Sequence, residues 1–205
     1  TLAKPGKVAK VKHYPAVKLA DAAEWFADVR SRDGTATRAL EFLALTAARS
    51  GEVRGMTWAE VDLSTGIWTV PADRMKGSPG KVSDFRVPLS KQATQLVEDQ
   101  RSFGGKYLFS AQRGRPVTDN SLSRHMRAIG EAGRPHGFRT SFRTWVQDTE
   151  ACSWEVSETA LAHTVGNKVE RSYARSDLLE RRRIVMQKWA DFVTGAQTNV
   201  VKIHG

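Results

Sequence analysis

A change of texture near Thr57 limits what this chain can fold into. Up to that point apolar residues recur at the helical period, with Ala22, Trp25, Phe26 and Val29 in 21–30 and Leu40, Leu43, Ala44 and Ala47 in 37–48. From Thr57 to Leu89 the chain runs instead in short β-branched and aromatic stretches, "TWAEVDL", "GIWTV" and "FRVPL". Ser64-Thr65-Gly66 and a longer segment containing Gly and Pro divide them, as turns divide neighbouring strands. After Leu89 the helical spacing returns over 91–102, 119–130, 138–149, 154–162 and 177–193. The expectation is an α+β fold, mostly α-helical, with one small antiparallel three-stranded β-sheet. The most apolar stretch, 39–48, carries Glu41 and Thr46 and falls short of the roughly 18 uncharged residues of a spanning helix, so no membrane partner is expected.

Charge narrows the partner. The chain has 32 Lys+Arg against 22 Asp+Glu, a formal net charge of +10, which suits a polyanionic partner such as nucleic acid or an anionic membrane surface, and charge alone does not choose between them. Residues 1–18 hold Lys4, Lys7, Lys10 and Lys12 with Pro5, Gly6 and Pro15, and read as a basic interdomain linker. A globular domain is expected over 19–193 and a tail over 194–205. A first residue of Thr fits a missing amino-terminal domain, and removal of a tag or leader would look the same.

Several motifs fail on inspection. Gly77-Ser-Pro-Gly-Lys81 is too short for a phosphate loop and has Val82 where a hydroxyl would meet magnesium, so it reads as a hairpin tip. His125, His136 and His163 lack metal-ligand spacing to Cys or paired carboxylates, and no metal or other cofactor is expected. The single cysteine, Cys152, cannot form an internal disulfide, has no adjacent base, and reads as structural in a reducing compartment.

What remains is an ordered series. Arg49 sits at a corner between two helices, where Ser50 is able to cap and Glu52 is favourable in the first turn. Lys76 lies in the hairpin. His136 and Arg139 form HxxR, a spacing that puts both on one helix face, and Pro135 before them suits a helix start. His163 and Tyr173 follow, ten residues apart. Singly each has an ordinary explanation: a helix carboxyl terminus for Arg49, solvent for Lys76, hydrogen-bonded imidazoles, and a semi-buried anchor for Tyr173. Arg181, Arg182 and Arg183 read as a solvated face beside the apolar stripe Val185, Met186, Trp189 and Phe192.

Taken together and in this order, the residues resemble the catalytic domain of the tyrosine recombinases, in particular the phage and genomic-island integrases. The matching segments are "ARSGEVRGMTW", "VPADRMKG", "RVPLS", "HGFRTSFRTW", "LAHTVGNKVERSYARSD" and "RRRIVMQKWADF", spread over about residues 36–193. Many relatives have Leu-Gly-His where this chain has Leu161-Ala162-His163, and the gap to the tyrosine is one residue longer than in the shorter recombinases. Both departures look typical of the island-integrase branch.

The resemblance implies a site-specific recombinase that cuts and rejoins DNA through a 3′-phosphotyrosyl intermediate, integrating or excising a mobile element without metal or ATP. It implies Tyr173 as nucleophile, Arg49 and Arg139 as phosphate clamps, and His136 as base. Lys76 would be the acid, with Lys81 the other choice, His163 would bond a non-bridging oxygen, and Glu52 would support Arg49. It implies double-stranded attachment-site DNA as partner, a homotetramer in the synaptic complex and a monomer without DNA, an excisionase and DNA-bending proteins as accessories, and a place in the bacterial cytoplasm. A DNA-binding module that never cuts and a type IB topoisomerase stand as alternatives.

Overall fold

The structure is a computed structural model that describes residues 16–77, 82–101, 104–131, 133–163 and 176–196. Its axis is helix α2 (Thr35–Thr46), buried from Ala36 onward everywhere except Arg38. A helix apolar on nearly all sides must be surrounded. Around it pack α1 (Ala22–Ser31), the short α3 (Ser50–Arg54), α4 (Lys91–Gln100), α5 (Asp119–Ala128) and α8 (Leu179–Val193). Helices α6 (Gly137–Thr149) and α7 (Trp154–Ala160) complete the helical part, and α7 lies on α8. Trp189 of α8 is fully buried, donates Nε1–H to the Ala44 carbonyl at 2.7 Å, and meets Phe142, Trp145 and Phe192 in an aromatic cluster.

The sheet has three antiparallel strands in the order β1 (Val61–Asp62), β2 (Ile67–Val70), β3 (Phe85–Pro88). Trp68 and Val70 of β2 and Val87 of β3 point into the core, and β3 packs on α8. The expected α+β fold, mostly helical with one small three-stranded sheet, is therefore the one found.

Three local readings need correction. "TWAEVDL" is not one strand: only Val61–Asp62 pairs with β2, and Trp58–Glu60 forms a 3-10 turn. Glu60 causes this, because its carboxylate accepts from Thr57 N–H (3.2 Å), Thr57 Oγ1 (2.7 Å) and Trp68 Nε1 (3.1 Å) and pairs with Arg74, bonds that curl the backbone back on itself. Ser50 does not cap α3. Arg49 holds the cap position, and the Ser50 hydroxyl donates to Asp119 Oδ1 at 2.8 Å.

Arg182 is the third. It is not solvated but 0% exposed. It lies three residues before Val185 and seven before Trp189, so the helical period places it on the buried stripe. Its guanidinium donates to the Asp177 carbonyl (2.7 Å), to Asp177 Oδ2 (3.0 Å) and to the Arg86 carbonyl (2.6 Å), and lies over the Phe85 ring. Burial pushes its pKa down to about 10, so the side chain remains cationic.

Candidate active site

Two helix ends build the site. Helix α2 stops because Ala47 adopts a left-handed conformation (φ 49°), and α7 stops in the same way at Ala162 (φ 50°). At the end of α7 the Ala162 N–H bonds the Thr159 carbonyl and the His163 N–H bonds the Glu158 carbonyl, each at 2.9 Å, a Schellman closure. Such an ending leaves carbonyl oxygens outside the helical ladder, at the end where the helix dipole favours cations. Arginines take them up. Arg139 Nη1 donates to the Ala47 carbonyl at 2.9 Å and Nη2 to the Leu161 carbonyl at 2.5 Å. Arg49 Nη2 reaches the Ala162 carbonyl at 3.2 Å and the Leu161 carbonyl at 3.5 Å. Ala162 thus holds a backbone conformation that favours glycine.

Buried carboxylates stand behind both arginines. Glu52 is 3% exposed, pairs with Arg49 Nη1 at 2.7 Å and accepts the Arg49 backbone N–H at 2.9 Å, so it fixes both the side chain and the start of α3. Arg139 Nη2 lies 2.9 Å from His163 Nε2, and His163 Nδ1 lies 2.9 Å from Glu158 Oε2. Glu158, 6% exposed, also faces Arg143 Nε at 3.0 Å. Burial lowers the Arg139 pKa to about 10 and the charge of Arg49 adds to this, while Glu52 and Glu158 oppose it. Arg139 stays charged at neutral pH.

His136 occupies the cap position of α6, three residues before Arg139. Although the residue is exposed overall, partial desolvation of its ring holds its pKa below the usual histidine range. The positive charges of Arg139, Arg49, His163 and Lys76, in that order, push the same way. Lys76 is exposed on the loop between β2 and β3. The base of that loop is pinned by Arg74, which donates to the Glu52 carbonyl (2.9 Å) and pairs with Glu60, and by Ala72 N–H bonding Asp84 Oδ1 at 2.9 Å.

Arg49, Glu52, His136, Arg139 and His163 therefore gather at one place, with Lys76 close enough for its charge to be felt there. Tyr173 and Lys81 lie outside the described residues. Sequence reasoning missed Glu158, which stands five residues before His163 with no motif to mark it, and Arg74, whose only signal was its place two residues before Lys76. Cys152 is half-buried and burial pushes its thiol pKa up, contrary to an activated nucleophile. Among the described residues, no three or more His, Cys, Asp or Glu side chains gather as a metal site, and no helix is long and apolar enough to cross a membrane. Two guanidiniums and two imidazoles at the meeting of four chain segments form a cationic cradle suited to an oxyanion with several acceptor atoms.

The chain is similar to known proteins in sequence and in fold. The chain is 34% identical over 167 residues to the prophage integrase IntA of Escherichia coli (strain K12), a match covering 78% of this chain and 39% of that protein. The fold matches that of XerA recombinase with a TM-score of 0.60 at 20% identity, over 85% of this chain and 60% of that one. It also matches lambda integrase, in a dimer bound to a core site, with a TM-score of 0.58 at 18% identity, over 78% of this chain and 62% of that one. The chain spans about half or less of the length of the curated integrases it matches. The profile of the Phage integrase family matches residues 16–179, four-fifths of the sequence, and the chain belongs to that family.

Proposed function

We propose that residues 19–193 form the DNA-cutting domain of a site-specific recombinase, an integrase that joins a mobile element to a chromosomal site and releases it. The observation that carries this reading is the convergence of Arg49, Arg139, His136 and His163 at one place. In the reaction the Tyr173 phenolic oxygen attacks the scissile phosphorus and its proton passes to His136, whose depressed pKa keeps the ring neutral and able to accept. The bond from phosphorus to the deoxyribose 5′ oxygen breaks, and Lys76 (Lys81 being the other choice) protonates the departing oxygen. Arg49 and Arg139 meet the charge that spreads over the equatorial oxygens, and His163 bonds one of the non-bridging pair. The product is a 3′-phosphotyrosyl ester. A second strand's 5′ hydroxyl attacks this ester and restores the phosphodiester, so the cycle needs neither ATP nor a metal ion.

The partners belong to the same proposal. Double-stranded attachment sites are the substrate, bound with affinity that falls steeply with salt as counterions are released. Four copies pair two sites, a free copy is a monomer, and an excisionase and DNA-bending proteins set direction. The place of action is the bacterial cytoplasm, on DNA.

The test is incubation with a nicked duplex carrying the element's junction sequence, in EDTA. A covalent protein-DNA species that disappears in Tyr173→Phe is the expected result. Binding without an adduct from wild type would mark a module that does not cut, and relaxation of supercoils that lack any junction sequence would mark a topoisomerase.

A further inference from the structure

Glu158 is out of place by helix electrostatics. It lies in the carboxyl-terminal half of α7, where the dipole disfavours a carboxylate, and it is almost wholly buried. Its two oxygens face two side chains of the site region, Oε1 meeting Arg143 Nε and Oε2 meeting His163 Nδ1. Its backbone carbonyl holds the His163 N–H as well, so one residue grips both the main chain and the ring of His163.

The hydrogen-bond pattern assigns the tautomer. A carboxylate accepts only, so Nδ1 carries a proton and donates it to Glu158. A guanidinium donates only, so Nε2, 2.9 Å from Arg139 Nη2, is the unprotonated nitrogen. In the free protein His163 is thus an acceptor on the side where the phosphate is to bind. To bond a phosphate oxygen it must become a donor there.

We infer that Glu158 is a positioning residue that directs His163 Nε2 toward the phosphate and supplies the negative charge that lets this nitrogen take up a proton as the phosphate enters. The inference rests on the recombinase reading for its kinetic consequence, though not for the tautomer. An entering phosphate competes for Arg139 Nη2, Nε2 loses that donor, and one proton from solvent completes an imidazolium. Nδ1–H stays on Glu158 while Nε2–H bonds the phosphate oxygen. The other charged groups facing this position are Arg139 and Arg143 from α6, Arg49 with its partner Glu52 from the corner before α3, and His136 at the start of α6, with Lys76 beyond it. These are mostly cations that oppose protonation, and Glu158 is the carboxylate in direct contact with the ring.

Two measurements on the whole chain test this. In long-range ¹H–¹⁵N spectra of the DNA-free wild type, His163 should show Nδ1 protonated and Nε2 bare. Binding of the nicked junction duplex to Tyr173→Phe should protonate Nε2. A free protein with Nε2 protonated, or a DNA-bound one with Nε2 still bare, would overturn the inference whether or not the chain cuts DNA. Glu158→Gln keeps an acceptor for Nδ1–H but removes the charge. Its adduct formation should slow by about tenfold to a hundredfold, the range seen when a functional histidine loses its second partner in metal sites. A rate within twofold of wild type would contradict the role. Failure of wild type itself to form an adduct would instead count against the recombinase reading, leaving the spectra to decide on Glu158.

Discussion

Arg49 and Arg139 donate to the same carbonyl oxygen, that of Leu161, at 3.5 and 2.5 Å. Two cations that share an acceptor repel each other, and the Arg139 pKa is lowered partly for that reason. The backbone of the 161–162 turn thus holds two like charges near each other, and an anion with several acceptor oxygens, such as a phosphate, can relieve their repulsion.

Lysine cannot reproduce this. Arg139→Lys keeps the charge and loses the fork that joins the Ala47 and Leu161 carbonyls. The rate of adduct formation should fall by about 10²- to 10³-fold, the usual effect of removing one preorganised donor. Stability in urea should fall by about 1–3 kcal/mol for a buried carbonyl left unpaired.

The left-handed turn at Ala162 makes a prediction of opposite sign. An L-residue with a side chain holds that conformation at a cost of about 1–2 kcal/mol, partly offset by the greater chain entropy that glycine would lose. Ala162→Gly should therefore raise unfolding stability by up to about 1 kcal/mol with the site intact, while Ala162→Val should lower it by more than about 1 kcal/mol. Urea midpoints of the two variants against wild type check both.

Arg182 and Asp177 form an ion pair in which only the arginine is fully enclosed. Asp177→Ala leaves that guanidinium with two carbonyls and no counter-charge. The loss should be about 2–3 kcal/mol, below the 3–5 of a fully buried pair because Asp177 keeps about a third of its exposure. Adding Arg182→Met removes the stranded charge, and the double variant should be more stable than Asp177→Ala alone.

These cases separate what the sequence made legible from what it hid. Arg49, Glu52, His136, Arg139 and His163 could be read because their order along the chain resembles that of a known family, although singly each has an ordinary explanation. Glu158 could not, because a glutamate five residues before a histidine looks like any surface residue until α7 turns its side chain inward. Arg182 misled for the reverse reason: in a run of three arginines charge suggested solvent, whereas the period of α8 placed the middle one inside. The 3-10 turn at Trp58–Glu60 was hidden because Glu60 acts through Trp68 and Arg74, partners distant along the chain.

His136 gives a pH signature. Its folded pKa lies below the ordinary value near 6.5, so between those two values the unfolded chain binds more protons than the folded one. Stability should therefore be full above about pH 6.5 and decline as pH falls toward the folded value, with no further loss from this group below it. The His136 Cε1–H resonance should titrate with a midpoint below 6.5, and His136→Asn should flatten the difference in unfolding free energy between about pH 8 and pH 5.

The central claim is that a DNA 3′ phosphate becomes esterified to the phenol of Tyr173. Digesting the trapped protein-DNA species with protease and nuclease and sequencing the modified peptide by mass spectrometry tests it directly. The account predicts a nucleotide joined through its 3′ phosphate to the tyrosine of "VERSYARSD". Attachment at another residue, or through a 5′ phosphate, would contradict it.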